Sequence, residues 1–146
     1  MKTIHLLLFT LTLFAFSCGN QEITDENFSD IIDMENPPVI TFEESEYDFG
    51  TIVEGREINK RFNFTNTGKG PLVISAVNGS CGCTVPKNWP KHPIKPGESA
   101  YVEVFFNSEG RAGTANKIVT ISANTKPADT KIRIKGTVVG PTENNN

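Results

Sequence analysis

Two cysteines separated by a single glycine, in Gly79-Ser80-Cys81-Gly82-Cys83-Thr84, are the residues of this 146-residue chain best placed to do chemistry. On an extended strand residues i and i+2 point the same way, with Cα atoms about 6.6 Å apart at roughly 3.3 Å per residue. That is near the upper edge of the usual disulfide window, about 4.4 to 6.8 Å. Closing the bond therefore calls for a turn at the middle residue, where Gly82 can take a positive φ. As a staple the bond is weak: a three-residue ring restricts the unfolded chain by only about 1.6 kcal/mol, against about 3 for a fifteen-residue loop.

Four readings of the pair stand side by side. It is a locally pinned turn at a sheet corner, two inert and partly buried thiols, a redox-active dithiol of the labile small-ring kind, or a soft-metal site, for which copper(I) suits two thiolates best. Structural zinc needs four ligands, and only His92 lies close enough in sequence to join Cys81 and Cys83. A histidine in a Pro-rich loop has the plainer reading of a solvated side chain. Beyond the copper reading no cofactor is expected.

The third cysteine explains itself from the N-terminus. Ile4 to Phe16 is almost wholly apolar, broken only by His5, Thr10 and Thr12. Such a run is shorter than the roughly 20 residues a membrane-spanning helix needs, and residues 1–17 read as a secretory signal. Ala15-Phe16-Ser17-Cys18-Gly19 resembles the lipobox of bacterial lipoproteins, with Ala15 where Leu is usual and the bulky Phe16 next. Cys18 is then the lipidated first residue of the mature chain, which converts a soluble protein into an anchored one. The expected location is the cell envelope, lipid-anchored at the outer membrane on its periplasmic or surface side. An exported chain also lives where disulfides persist.

Residues 18–38 form an acidic tether. Glu22, Asp25, Glu26, Asp30, Asp33 and Glu35 occur without a Lys or Arg and with few large apolar residues, so the segment cannot bury enough surface to order itself. About twenty such residues reach on the order of 25 Å. Setting aside Lys2 and those six acids leaves thirteen basic and eleven acidic residues, of the chain's fourteen and seventeen, for the remainder. A nearly neutral domain carries no basic stripe, so nucleic acid is not an expected partner.

From residue 39 to 140 the pattern becomes short segments of period two separated by Gly, Pro and Asn clusters, the signature of strands. Strands are expected at Val39–Glu43, Glu46–Phe49, Glu57–Asn66, Leu72–Asn78, Ser99–Asn107, Lys117–Asn124 and Thr130–Val138. Phe62 and Phe64 alternate with Arg61, Asn63 and Thr65, and Ile132 and Ile134 alternate with Lys131, Arg133 and Lys135, so each strand buries one face and wets the other. About seven strands in about a hundred residues predict an all-β immunoglobulin-like sandwich, followed by a disordered tail at 141–146. The stretch from Cys81 to Gly97, with Pro86, Trp89, Pro90, Pro93 and Pro96, reads as the longest irregular loop and hence the functional one. Trp89 reads as a lid over the core.

Asp48-Phe49-Gly50-Thr51-Ile52, Phe64-Thr65-Asn66-Thr67-Gly68, the Cys-Gly-Cys motif and Ile94-Lys95-Pro96-Gly97-Glu98-Ser99 together resemble a bacterial domain-of-unknown-function family, number 1573. That family is common in exported proteins and lipoproteins of the Bacteroides and Flavobacterium group. The resemblance covers about Thr41 to Val139. It implies an immunoglobulin-like fold akin to the Aspm-Spd2-Hydin and major-sperm-protein modules and an envelope location, with no established activity. One histidine remains after processing, and no motif pairs it with a nucleophile or a carboxylate; Gly68-Lys69-Gly70-Pro71 is a turn with no helix after it to cradle phosphate. The expectation is a non-enzymatic, lipid-anchored binding or assembly module with an envelope protein or glycan as partner, the alternative being a dithiol redox or copper(I) protein using Cys81 and Cys83.

Overall fold

The computed structural model describes residues 36–140. The expected signal peptide at 1–17, Cys18, the expected tether up to residue 35 and the tail at 141–146 lie outside the described residues.

Alternation sets the strands. In β3 (Glu57–Asn66) Phe62 and Phe64 are fully buried, while Asn59, Arg61 and Asn63 are exposed on the opposite face. Val102, Val104 and Phe106 do the same for β6 (Ser99–Asn107), and Ile132 and Ile134 for β8 (Asp129–Val139). The other strands are β1 (Ile40–Phe42), β2 (Glu46–Val53), β4 (Ile74–Gly79), β5 (Thr84–Asn88) and β7 (Gly113–Ala123). They form two four-stranded sheets, ordered β1-β3-β6-β5 and β2-β8-β7-β4. β2 runs parallel to β8, Glu46 opposite Arg133 and Val53 opposite Val139, while every other pair is antiparallel. This is the all-β immunoglobulin-like sandwich expected.

The inward faces meet in a main core that includes Phe62, Phe64, Leu72, Ile94, Val104, Ile121 and Ile134. A second, smaller cluster closes one end: Cys83, Phe106, Ala115 and Val138, with Phe49, Ile52, Ile58 and Cys81 packed against it. At the other end of β3 the buried Asn66 joins four segments. Its amide donates to the carbonyls of Gly70 (2.8 Å) and Ile94 (2.9 Å), and its side-chain oxygen accepts from the backbone N–H of Gly68 (3.1 Å) and Val39 (3.3 Å). Every hydrogen-bonding position of the amide is used, as burial demands.

The strand layout departs most from expectation at three places, with shifts of one or two residues at several other strand ends. β2 continues past Phe49 to Val53, because Gly50 at φ +69° makes a bulge between Asp48 and Thr51 that re-phases the strand instead of ending it. β7 begins at Gly113, four residues before the expected Lys117. An eighth strand, β5, occupies the first part of the stretch taken for irregular loop. Its Thr-Val-Pro-Lys-Asn sequence has no apolar alternation and contains Pro86, yet β5 pairs only with β6, and an edge strand tolerates a residue without an N–H. Packing also starts slightly before residue 39: Pro38 is buried, and Lys69 N–H donates to the Pro37 carbonyl at 3.3 Å.

Candidate functional site

The Cys-Gly-Cys turn is built by the strands on either side of it. β4 ends at Gly79 and β5 begins at Thr84, with one strand in each sheet, so the turn carries the chain across the sandwich. Gly79 must be glycine because the Thr84 carbonyl oxygen lies where its Cβ would be. Ser80 is fixed to β7 twice: its N–H donates to the Ile118 carbonyl at 2.8 Å, and its Oγ accepts from Ile118 N–H at 3.1 Å. Thr84 N–H donates back to the Cys81 carbonyl at 3.1 Å, and Asn107 N–H donates to the Cys83 carbonyl at 3.0 Å.

Within this frame Cys81 and Cys83 are joined in a disulfide, their Cα atoms 5.2 Å apart. Cys83 is 5% exposed and belongs to the end cluster, while Cys81 is half-buried. The hydroxyl of Thr84, a residue 2% exposed, lies 3.5 Å from Cys81 Sγ and 3.8 Å from Cys83 Sγ. The middle glycine does not do what was expected of it. Gly82 has no positive φ, and a Cβ placed on it would meet nothing within 4 Å. Gly82 is itself exposed and, with Cys83, Asn107, Glu109, Gly110 and Arg111, lines a groove of about 300 Å³.

His92 does not join the pair. β5 carries the chain along β6 from Thr84, opposite Phe106, to Asn88, opposite Glu103, which parts Cys83 from the loop that holds His92. Among the described residues no group of three or more His, Cys, Asp or Glu converges, and Cys81, Cys83 and His92 are not brought together. In disulfide form neither sulfur is a thiolate donor for copper(I).

His92 lies instead in a second groove, of about 490 Å³, between the 88–92 stretch and the start of β6; Trp89, Lys91, Glu98 and Tyr101 also line it. Trp89 packs against the main core, as a lid does, and Lys91 Nζ stands 3.0 Å above its ring centroid. The outward face of the same sheet repeats the arrangement. Arg61 lies over Tyr101 at 4.6 Å and Lys87 over Phe105 at 4.0 Å. Arg61 is also paired with Glu103 at 3.2 Å, whereas Lys87 and Lys91 have no ion pair among the described residues. Sequence reasoning missed this face, although Tyr101 and Phe105, both out of phase with buried Val102 and Val104, signalled aromatics on the wet side.

A family model described as a protein of unknown function (DUF1573) matches residues 40–138. Among solved structures, a protein of unknown function from Porphyromonas gingivalis is similar over 68% of this chain and 46% of its own, at 20% identity and a TM-score of 0.59. The secreted serine protease VesC from Vibrio cholerae is similar over 68% of this chain and 23% of its own, at 14% identity and a TM-score of 0.55. The ASH/PapD-like domain 7 of human CEP192 is similar over 69% of this chain and 85% of its own, at 13% identity and a TM-score of 0.49. At such identities what is shared is the fold, and the chain spans less than half the length of the first two. No curated protein matches the sequence.

Proposed function

The chain belongs to the DUF1573 family of proteins of unknown function, and from that premise we propose that it is a non-catalytic binding module of the cell envelope. In this reading it is exported, held at the outer membrane by lipid on Cys18, and spaced from the bilayer by the acidic segment that follows.

The observation that supports a binding role is a set of rings that each carry a cation, Tyr101 and Phe105 on the outward face of the β1-β3-β6-β5 sheet and Trp89 just after β5, with Tyr101 and Trp89 lining the larger groove. A cation held over a ring is fixed in place before a partner arrives, so less side-chain entropy is lost on binding. The same geometry favours one of the two expected partners. A neutral glycan stacks on a free ring face, and here the outward faces are occupied by Arg61, Lys87 and Lys91. Lys87 and Lys91, without ion pairs of their own, suit the carboxylates of an acidic envelope protein.

A photocrosslinking amino acid at Lys91, introduced in the full chain in cells, is expected to capture an envelope protein, and the same group at Lys131, exposed on the other sheet, is not. The adduct is expected to disappear when Lys87→Glu is added. Equal capture from both positions, or none from either, would overturn the reading. The anchor is tested separately: Cys18→Ala is expected to move the chain out of the membrane fraction.

A further inference from the structure

We propose that Cys81–Cys83 is an exchangeable couple that takes two electrons from a vicinal dithiol, which reaches it at the exposed turn around Gly82. This inference stands independently of the binding reading.

The turn does not need the sulfur bond to keep its shape. Four hydrogen bonds already fix it: Ser80 N–H to Ile118 O, Ile118 N–H to Ser80 Oγ, Thr84 N–H to Cys81 O and Asn107 N–H to Cys83 O. The close pass of Thr84 over Gly79 adds a fifth constraint. With the bond open, this frame holds the two thiols side by side and ready to close again. A short ring adds little stability of its own, and a bond redundant for the fold is free to serve exchange.

The two sulfurs are also placed for different parts in the reaction. Cys81 is the more exposed of the two, half-buried at the edge of the end cluster, whereas Cys83 is 5% exposed and belongs to that cluster. A thiolate of the dithiol attacks Cys81 Sγ; a bond forms between them, the Cys81–Cys83 bond breaks, and Cys83 leaves as a thiolate within reach of the Thr84 hydroxyl. The donor's second thiolate then attacks its own sulfur in the mixed disulfide, which closes the donor's disulfide and releases Cys81 as a thiolate. Two electrons pass to the cysteine pair, and the two protons given up by the donor end, through solvent, on Cys81 and Cys83.

Dithiothreitol on the full mature chain in native buffer is the probe. Both thiols are expected to appear while the near-ultraviolet circular dichroism persists, and to disappear again when the reductant is removed. Gly82→Leu, which adds bulk to the exposed turn between the two cysteines, is expected to slow the reaction by about tenfold without moving the thermal midpoint, since exchange depends on access to the attacked sulfur. Cys83→Ser, which leaves Cys81 alone, is expected to form a mixed disulfide with oxidised dithiothreitol faster than Cys81→Ser does. A bond that resists the reagent until the chain unfolds, a reduced form that loses its tertiary signal, or a Gly82→Leu chain reacting at the wild-type rate would each overturn the proposal.

Discussion

Replacing Asn66 by alanine removes four hydrogen bonds from one buried point. The losses are unequal. The Gly70 carbonyl is buried and loses an amide donor, which costs about 1 to 3 kcal/mol. The Ile94 carbonyl keeps its bond from Leu72 N–H at 2.9 Å, so about 0.5 to 1 kcal/mol is at stake there. The N–H groups of Gly68 and Val39 are near enough to solvent for water to replace the side-chain oxygen, at a few tenths each. The total is about 3 kcal/mol, which for a domain of this size lowers the melting temperature by about 15 °C. Urea denaturation checks it: the midpoint is expected to fall with the slope unchanged. Asn66→Asp sharpens the test, because a carboxylate can still accept from Gly68 and Val39 but faces the Gly70 and Ile94 carbonyls with no hydrogen to offer. Its folded-state pKa is then raised above the usual aspartate value of about 3.9, so its deficit relative to wild type is expected to shrink as the pH falls toward that value. A loss below about 0.5 kcal/mol for Asn66→Ala, the level of an ordinary surface change, would refute the view that this amide joins the four segments.

The two glycines of the motif are expected to behave oppositely. Gly79→Ala pushes a methyl into the Thr84 carbonyl and should cost more than about 2 kcal/mol in chemical denaturation, while Gly82→Ala should stay within about 0.5. At alkaline pH the exposed pair of Lys135 and Glu46 supplies a further test. The hydrogen bond and charge of Glu46 raise the Lys135 pKa above the ordinary 10.5. The contribution is therefore fully present below 10.5 and lost as the pH rises through the higher folded-state value. The stability difference between wild type and Lys135→Gln should shrink over that rise, and also with added salt at neutral pH.

Where burial follows a strict period, the sequence was enough to read the structure. β3, β6 and β8 could be drawn from Phe62, Val104 and Ile134 and their wet neighbours, and the motifs around Phe49, Asn66 and the cysteines pointed to the family whose model matches. β5 was not legible because an edge strand needs only one hydrogen-bonded neighbour and no buried side, so Thr84 to Asn88 carries no periodic signal. Missing it left His92 close to the cysteines on paper when a strand runs between them. The bulge at Gly50 hid the second half of β2 for a related reason: the period is kept but shifted by the extra residue. The cation–ring pairs depend on contacts between strands distant in sequence, Arg61 with Tyr101 and Lys87 with Phe105, which no local pattern encodes.

β3 fixes how far apart the two ends of this domain stand. Asn66, where the chain comes in from its acidic segment, and Ile58, which packs on the disulfide cluster, are eight residues apart on it, a span of about 26 Å at the usual rise. If the incoming segment is the mooring, the sulfur bond rides at the pole that looks away from the bilayer. A reducing partner would have to arrive from the aqueous side, and one confined to the lipid surface would find only the groove beside Trp89 within easy reach.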